Sequence, residues 1–91
     1  MVDYKKGYFA KSLAGHDKGK LYIVIEEKND SSDFVFLSDG ELKPMDKPKK
    51  KRIKHIQVIK TVDEGIGTII QKGQELRNED IKRAIKTYSN R

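Results

Sequence analysis

Apolar residues in this chain come in short clusters, and their spacing changes character only near the C-terminal end. In YFAKSL, residues 8–13, alternation with period two predicts a strand with Phe9 and Leu13 on one face. A GHDKG turn follows. LYIVIEE, residues 21–27, is rich in the β-branched and aromatic side chains of a second strand. The two strands read as a hairpin joined by about five turn residues. KNDSSD, residues 28–33, concentrates side chains that bond their own backbone and favour a turn. FVFL, residues 34–37, makes a third strand. Asp39-Gly40 then predicts a tight hairpin turn, because glycine accepts positive φ, with a return strand starting at 41–43 and weakened or ended by Pro44. The basic stretch DKPKKKR is expected as a loop leading into a closing strand around 56–59.

The tail has helical spacing. NEDIKRAIKTY places Ile81, Ala84, Ile85 and Tyr88 on one face, which predicts a short helix near 79–88. Asn78 is its expected cap, and Glu79 and Asp80 suit the positive N-terminal end. A helix of about ten residues is marginal alone, so its apolar face should dock on the strands or a partner. Residues 61–77 hold Gly65, Gly67 and Gly73 among Ile66, Ile69 and Ile70, and are compatible with a linker or one more strand. The pattern as a whole predicts a mainly β fold: a small five-stranded barrel over 1–60, then an extension over 61–91 carrying the helix. A parallel sheet would need crossover helices between its strands.

A chain of 91 residues with 35% hydrophobic content supports one small domain and excludes a large enzyme core. It has no cysteine, so neither disulfides nor a Cys-based zinc site can stabilise it. His16 and His55 are its only histidines, a poor transition-metal set, and NDSSD lacks the glycine and terminal glutamate of a calcium loop. No metal or other cofactor is expected. MVDYKKGYFAKS carries no apolar leader segment, and no apolar run approaches the ~20 residues of a membrane span. The expected location is the cytoplasm. A net charge of +6 favours polyanionic partners.

GHDKGK looks like a shortened phosphate loop, G-x-x-x-x-G-K-[ST]. Its spacer is one residue short, Leu21 stands where a hydroxyl must reach magnesium, and a strand follows where a helix is needed. Ser12, His16 and Asp17 spell a triad without a nucleophile elbow or oxyanion hole. No enzymatic activity is expected. The strongest functional signal is the run of Lys47, Lys49, Lys50, Lys51, Arg52 and Lys54, held between prolines and a strand. Such a run can be a solvated face, or it can neutralise phosphates and release counterions. A membrane-surface role would need Trp or Phe on a basic amphipathic helix, and the tail helix has neither. Most aromatic residues are expected in the core; Tyr8, beside Lys5, Lys6 and Lys11, is the one expected at the surface.

GYFAKSLAGHDKGKLYIVIE, with Gly7 opening a strand, Gly15 in the turn and Lys18-Gly19-Lys20 entering an apolar strand, resembles the KOW motif. That motif is a hairpin within SH3-like barrels of large-subunit ribosomal proteins and transcription elongation factors. The wider pattern, LSDGELKPMDKPKKKRIKHIQ and the late NEDIKRAIKTY, is similar to small bacterial KOW-domain proteins related to the ribosomal protein family fourteen-e. The resemblance covers 7–59 well and the tail more loosely.

It implies a KOW-type, SH3-like barrel that binds RNA in association with the ribosome or its RNA, with ribosomal proteins as possible neighbours. The chain is expected to act without catalysis and to be monomeric when free. The family's turn glycine falls on Gly15, its basic turn positions on Lys18 and Lys20, and its basic run on 49–54 and His55. Lys43 stands where relatives often have arginine, which weakens bidentate recognition. Phe9 is bulkier than the valine usual in the first strand. The expected RNA-contacting set is His16, Lys18, Lys20, Lys43, Lys49, Lys50, Lys51, Arg52, Lys54 and His55. The competing expectation is a KOW-type protein-interaction module of the transcription or translation machinery, its lysines serving only solvation.

Overall fold

A computed structural model of the chain describes residues 4–26 and 33–90. Five antiparallel strands form one open sheet: β1 (Tyr8–Ser12), β2 (Leu21–Val24), β3 (Phe34–Ser38), β4 (Lys49–Arg52) and β5 (Ile56–Val62), in the order β4-β3-β2-β1-β5. A 3-10 turn at Ile53–His55 joins β4 to β5, and two helices follow, α1 (Glu64–Gln71) and α2 (Asn78–Ser89). The turn expected at 28–33 falls almost wholly outside the described residues.

The register explains why LYIVI is apolar at every position. Phe9 pairs with Ile23 and Ile59, and Ala10 with Tyr22 and Val58, so successive residues of β1 and β2 feed opposite faces of the sheet. Both faces are covered, as continuous apolar strands require. One face buries Phe9, Ile23 and Ile25 against Ile66, Leu76, Ile81 and Ala84 of the helical segment. The other buries Ala10, Tyr22, Val24, Val35, Leu37 and Ile56. Residues before and after position 60 therefore share a core. Tyr8, expected at the surface, is half-buried against this second cluster, while Leu13, just past the end of β1, is 45% exposed.

Residues 61–77 are neither linker nor a sixth strand alone: β5 runs on to Val62 and α1 begins at Glu64. Asp63 caps α1 by accepting from the Ile66 amide at 3.0 Å and also binds Arg83 Nη2 of α2 at 2.9 Å. A Cβ at Gly65 would overlap that guanidinium, so the glycine that weakens α1 makes room for its tie to α2. The predicted tail helix is present over Asn78–Ser89. Its N-terminal bond differs from the one expected: Asp80 Oδ2 accepts from the Arg77 amide at 3.0 Å, and Asn78 Oδ1 instead accepts from the Met45 amide at 2.8 Å. At the other end the Tyr88 ring stacks on Phe9, with centroids 4.5 Å apart.

The predicted tight turn at Asp39-Gly40 is also corrected. Asp39 Oδ1 accepts from the amides of Glu41 and Lys43 at 2.9 and 2.8 Å, and Ser38 Oγ donates to the Lys43 carbonyl at 2.8 Å. These bonds hold 39–43 as a loop, and the return strand starts only at Lys49, after Pro44 and Pro48. The basic run expected to be a loop is thus itself a strand, β4.

Candidate nucleic-acid interface

Because the basic run is a strand, its side chains alternate between the two faces of the sheet. Lys49 and Lys51 pair with Leu37 and Val35, and Lys50 and Arg52 with Phe36 and Phe34. The first pair is drawn toward the turn between β1 and β2. Lys51, its side chain only 10% exposed, donates from Nζ to Asp17 Oδ1 at 2.8 Å and to the Ala14 carbonyl at 3.0 Å; Lys49 Nζ lies 3.5 Å from Asp17 Oδ2. Asp17 also accepts from Ser12 Oγ at 2.8 Å and from the Tyr22 hydroxyl at 2.7 Å. Ser12 and Asp17, two letters of the apparent triad, are therefore parts of one buried polar junction. Burial alone would raise the Asp17 carboxyl, but hydrogen bonds from Lys51, Tyr22 and Ser12 and the charge of Lys49 outweigh it and hold the group far below the usual carboxylate range. Burial, and then the bond to Asp17, push the Tyr22 hydroxyl upward, so it stays a donor.

This junction brings the β1–β2 turn and β4 together, as the expected site requires, and it changes which cations a partner could reach. Lys51 is consumed by Asp17, and Lys49 is partly so. Lys20 is ion-paired with Asp39 Oδ2 at 2.6 Å and lies 5.4 Å from the centre of the Tyr22 ring. Lys43 is exposed on the 39–43 loop, whose backbone is bound to Asp39. His55 is half-buried, with its carbonyl accepting from the Leu13 amide at 2.8 Å. His16 and Lys18 stand exposed at the tip of the turn.

Lys50, Arg52 and Lys54 are exposed, and among the described residues none of them has a carboxylate within 4.0 Å. Lys50 and Arg52 lie against Phe34, an aromatic expected in the core. The Lys50 ammonium is 4.4 Å and the Arg52 guanidinium carbon 5.1 Å from the centre of its half-buried ring. A cleft of about 160 Å³ beside them is lined by Asp33, Arg52, Ile53 and Lys54. The sequence signal for this arrangement was the two-residue period carried through PKKKR, which assigns alternate cations to alternate faces once the run is known to be a strand.

Among the described residues no group of three or more His, Cys, Asp or Glu is placed to hold a metal ion, and no helix is long and apolar enough to cross a membrane. No protein-family model matches the chain, and no curated protein matches it.

Proposed function

We propose that this protein is a non-enzymatic RNA-binding module of the KOW type, an SH3-like barrel that acts in the cytoplasm on ribosomal or ribosome-associated RNA. The observation that carries the reading is the division of labour along β4. Lys49 and Lys51 fasten the strand to Asp17, while Lys50 and Arg52 on the strand and Lys54 in the 3-10 turn after it are exposed and, among the described residues, have no carboxylate within 4.0 Å. Exposed cations held by a strand and the turn that follows it favour a polyanion, because each phosphate they neutralise releases condensed counterions. His16 and Lys18 extend the basic surface from the adjoining turn. The barrel reading is supported by the return of β5 to β1 and by the curl that brings the β1–β2 turn onto β4 at the far edge of the sheet.

The test is RNA affinity against salt for the wild type and for a variant with Lys50, Arg52 and Lys54 changed to glutamine, leaving the Asp17 junction intact. Loss of three phosphate contacts should make the slope of log K against log salt shallower by about 2. An unchanged affinity and slope would remove the proposed site. One feature favours the rival, protein-binding reading: Leu42, 75% exposed, lines a groove with Leu21 and Ile85. Recovery of the same partner proteins after nuclease treatment, combined with an unchanged salt slope, would decide for that reading.

A further inference from the structure

We infer that Phe34 is a stacking platform for an unpaired base, so that the β3–β4 surface takes single-stranded RNA in preference to duplex. The inference rests on the RNA-binding reading above and adds to it the conformation of the RNA. Phosphate attraction alone would need only the cations. Here they surround an aromatic ring: Phe34 opens β3, pairs with Arg52 across the strands, and has the Lys50 ammonium 4.4 Å and the Arg52 guanidinium carbon 5.1 Å from its centre. The neighbouring inward positions, Val35 and Leu37, are buried, whereas Phe34 keeps part of its surface in solvent on the same face as Lys50 and Arg52.

A base that arrives must displace the cations from the ring. The exchange favours the base, since base-aromatic stacking exceeds an exposed cation–π contact, and the released cations are then placed beside the phosphates that flank the base. Lys54 lines the adjoining cleft together with Arg52. Asp33, which lines that cleft too, repels phosphate from it and can accept a hydrogen bond from the amino group of a base. A paired base within an A-form helix cannot offer its face to the ring, because both faces are already stacked; unpaired bases are what aromatic side chains capture.

The experiment uses a ten-nucleotide RNA carrying 2-aminopurine at one central position, alone and annealed to its complement, with the full chain as wild type, Phe34→Leu and Phe34→Tyr. The wild type should bind the single strand more tightly than the duplex and quench the reporter. Phe34→Leu should weaken single-strand binding by about tenfold and abolish the quenching, with duplex binding unchanged, and Phe34→Tyr should preserve both properties. If Phe34→Leu binds and quenches like the wild type, or if Phe34→Tyr loses as much as Phe34→Leu, the stacking role is overturned while RNA binding stands. If the wild type binds neither RNA, the functional reading fails, and the inference with it. Matching thermal unfolding of the three proteins establishes that the comparison concerns the surface and not the fold.

Discussion

Lys51 reaches across the fold to Asp17, its Nζ 2.8 Å from Oδ1, and this one ion pair joins the edge strand β4 to the turn between β1 and β2. Two residues 34 positions apart in sequence thereby fix the relation between the two basic elements of the chain. Tyr22 and Ser12 complete the satisfaction of the carboxylate from the strands on either side of that turn.

Asp17→Asn should therefore destabilise the protein by ~2–4 kcal/mol, because it leaves a nearly buried ammonium without its counter-charge. The thermal midpoint should fall by roughly 10–25 °C for a domain of this size. Circular dichroism melting at neutral pH checks both.

The same carboxylate sets an acid limit. Its folded pKa lies below the unfolded value of ~3.9, so its stabilisation is complete above that value and is lost as pH falls toward the folded pKa. Urea midpoints measured from pH 6 down to pH 2 should decline below about pH 4 in the wild type and less steeply in Asp17→Asn. Asp39 and Asp63, also lowered by their partners Lys20 and Arg83 against the opposing effect of burial, leave a residual slope in the variant.

Neighbouring lysines should behave as opposites. Lys51→Gln is expected to lower stability, whereas Lys50→Gln should melt within ~0.5 kcal/mol of the wild type and lose RNA affinity. Melting curves and filter-binding titrations on both variants test the alternation directly.

How much of this was legible beforehand depends on the range of the interaction. The hairpin of β1 and β2, the strand at 34–37 and the tail helix follow from local periodicity and turn chemistry, and the structure has all three. The Asp39-Gly40 turn misled because a buried carboxylate captured two amides, which a dipeptide preference does not register. The basic run misled because consecutive lysines have no apolar partner in sequence to reveal a strand; the pairing to β3 supplies it. Which lysines are consumed depends on Asp17, a contact at long range that no local pattern encodes. Phe34 was assigned to the core on the general behaviour of aromatics, and its cationic neighbours become visible only with the register.

Gly40 should tolerate no side chain. It has a φ of 77°, and a Cβ there would overlap the Asn78 carbonyl oxygen at the start of α2. Gly40→Ala should cost ~3 kcal/mol or more by urea unfolding, the sum of left-handed backbone strain and overpacking. At Gly19, with a φ of 90° and open space around it, the same substitution carries only backbone strain of ~1–2 kcal/mol.

A chain cut after residue 60 should not fold. It would lose Ile66, Leu76, Ile81 and Ala84 and uncover Phe9, Ile23 and Ile25. Loss of the cooperative melting transition, with binding of a hydrophobic dye, is the expected result.

Strand β4 is also the rim of an open sheet, where unpaired backbone groups invite another strand to add. Lys50 and Arg52, the cations of that strand not drawn to Asp17, put like charge on the rim, so a second copy of the chain meets it before any ladder can form. The monomeric state expected for the free chain would thus rest on the same residues proposed to hold RNA. Under the RNA-binding proposal, a short polyanion that neutralises the strand without covering it would lower the barrier to edge-to-edge growth, which makes the ratio of protein to RNA, and not protein concentration alone, the variable to follow in a test of self-association.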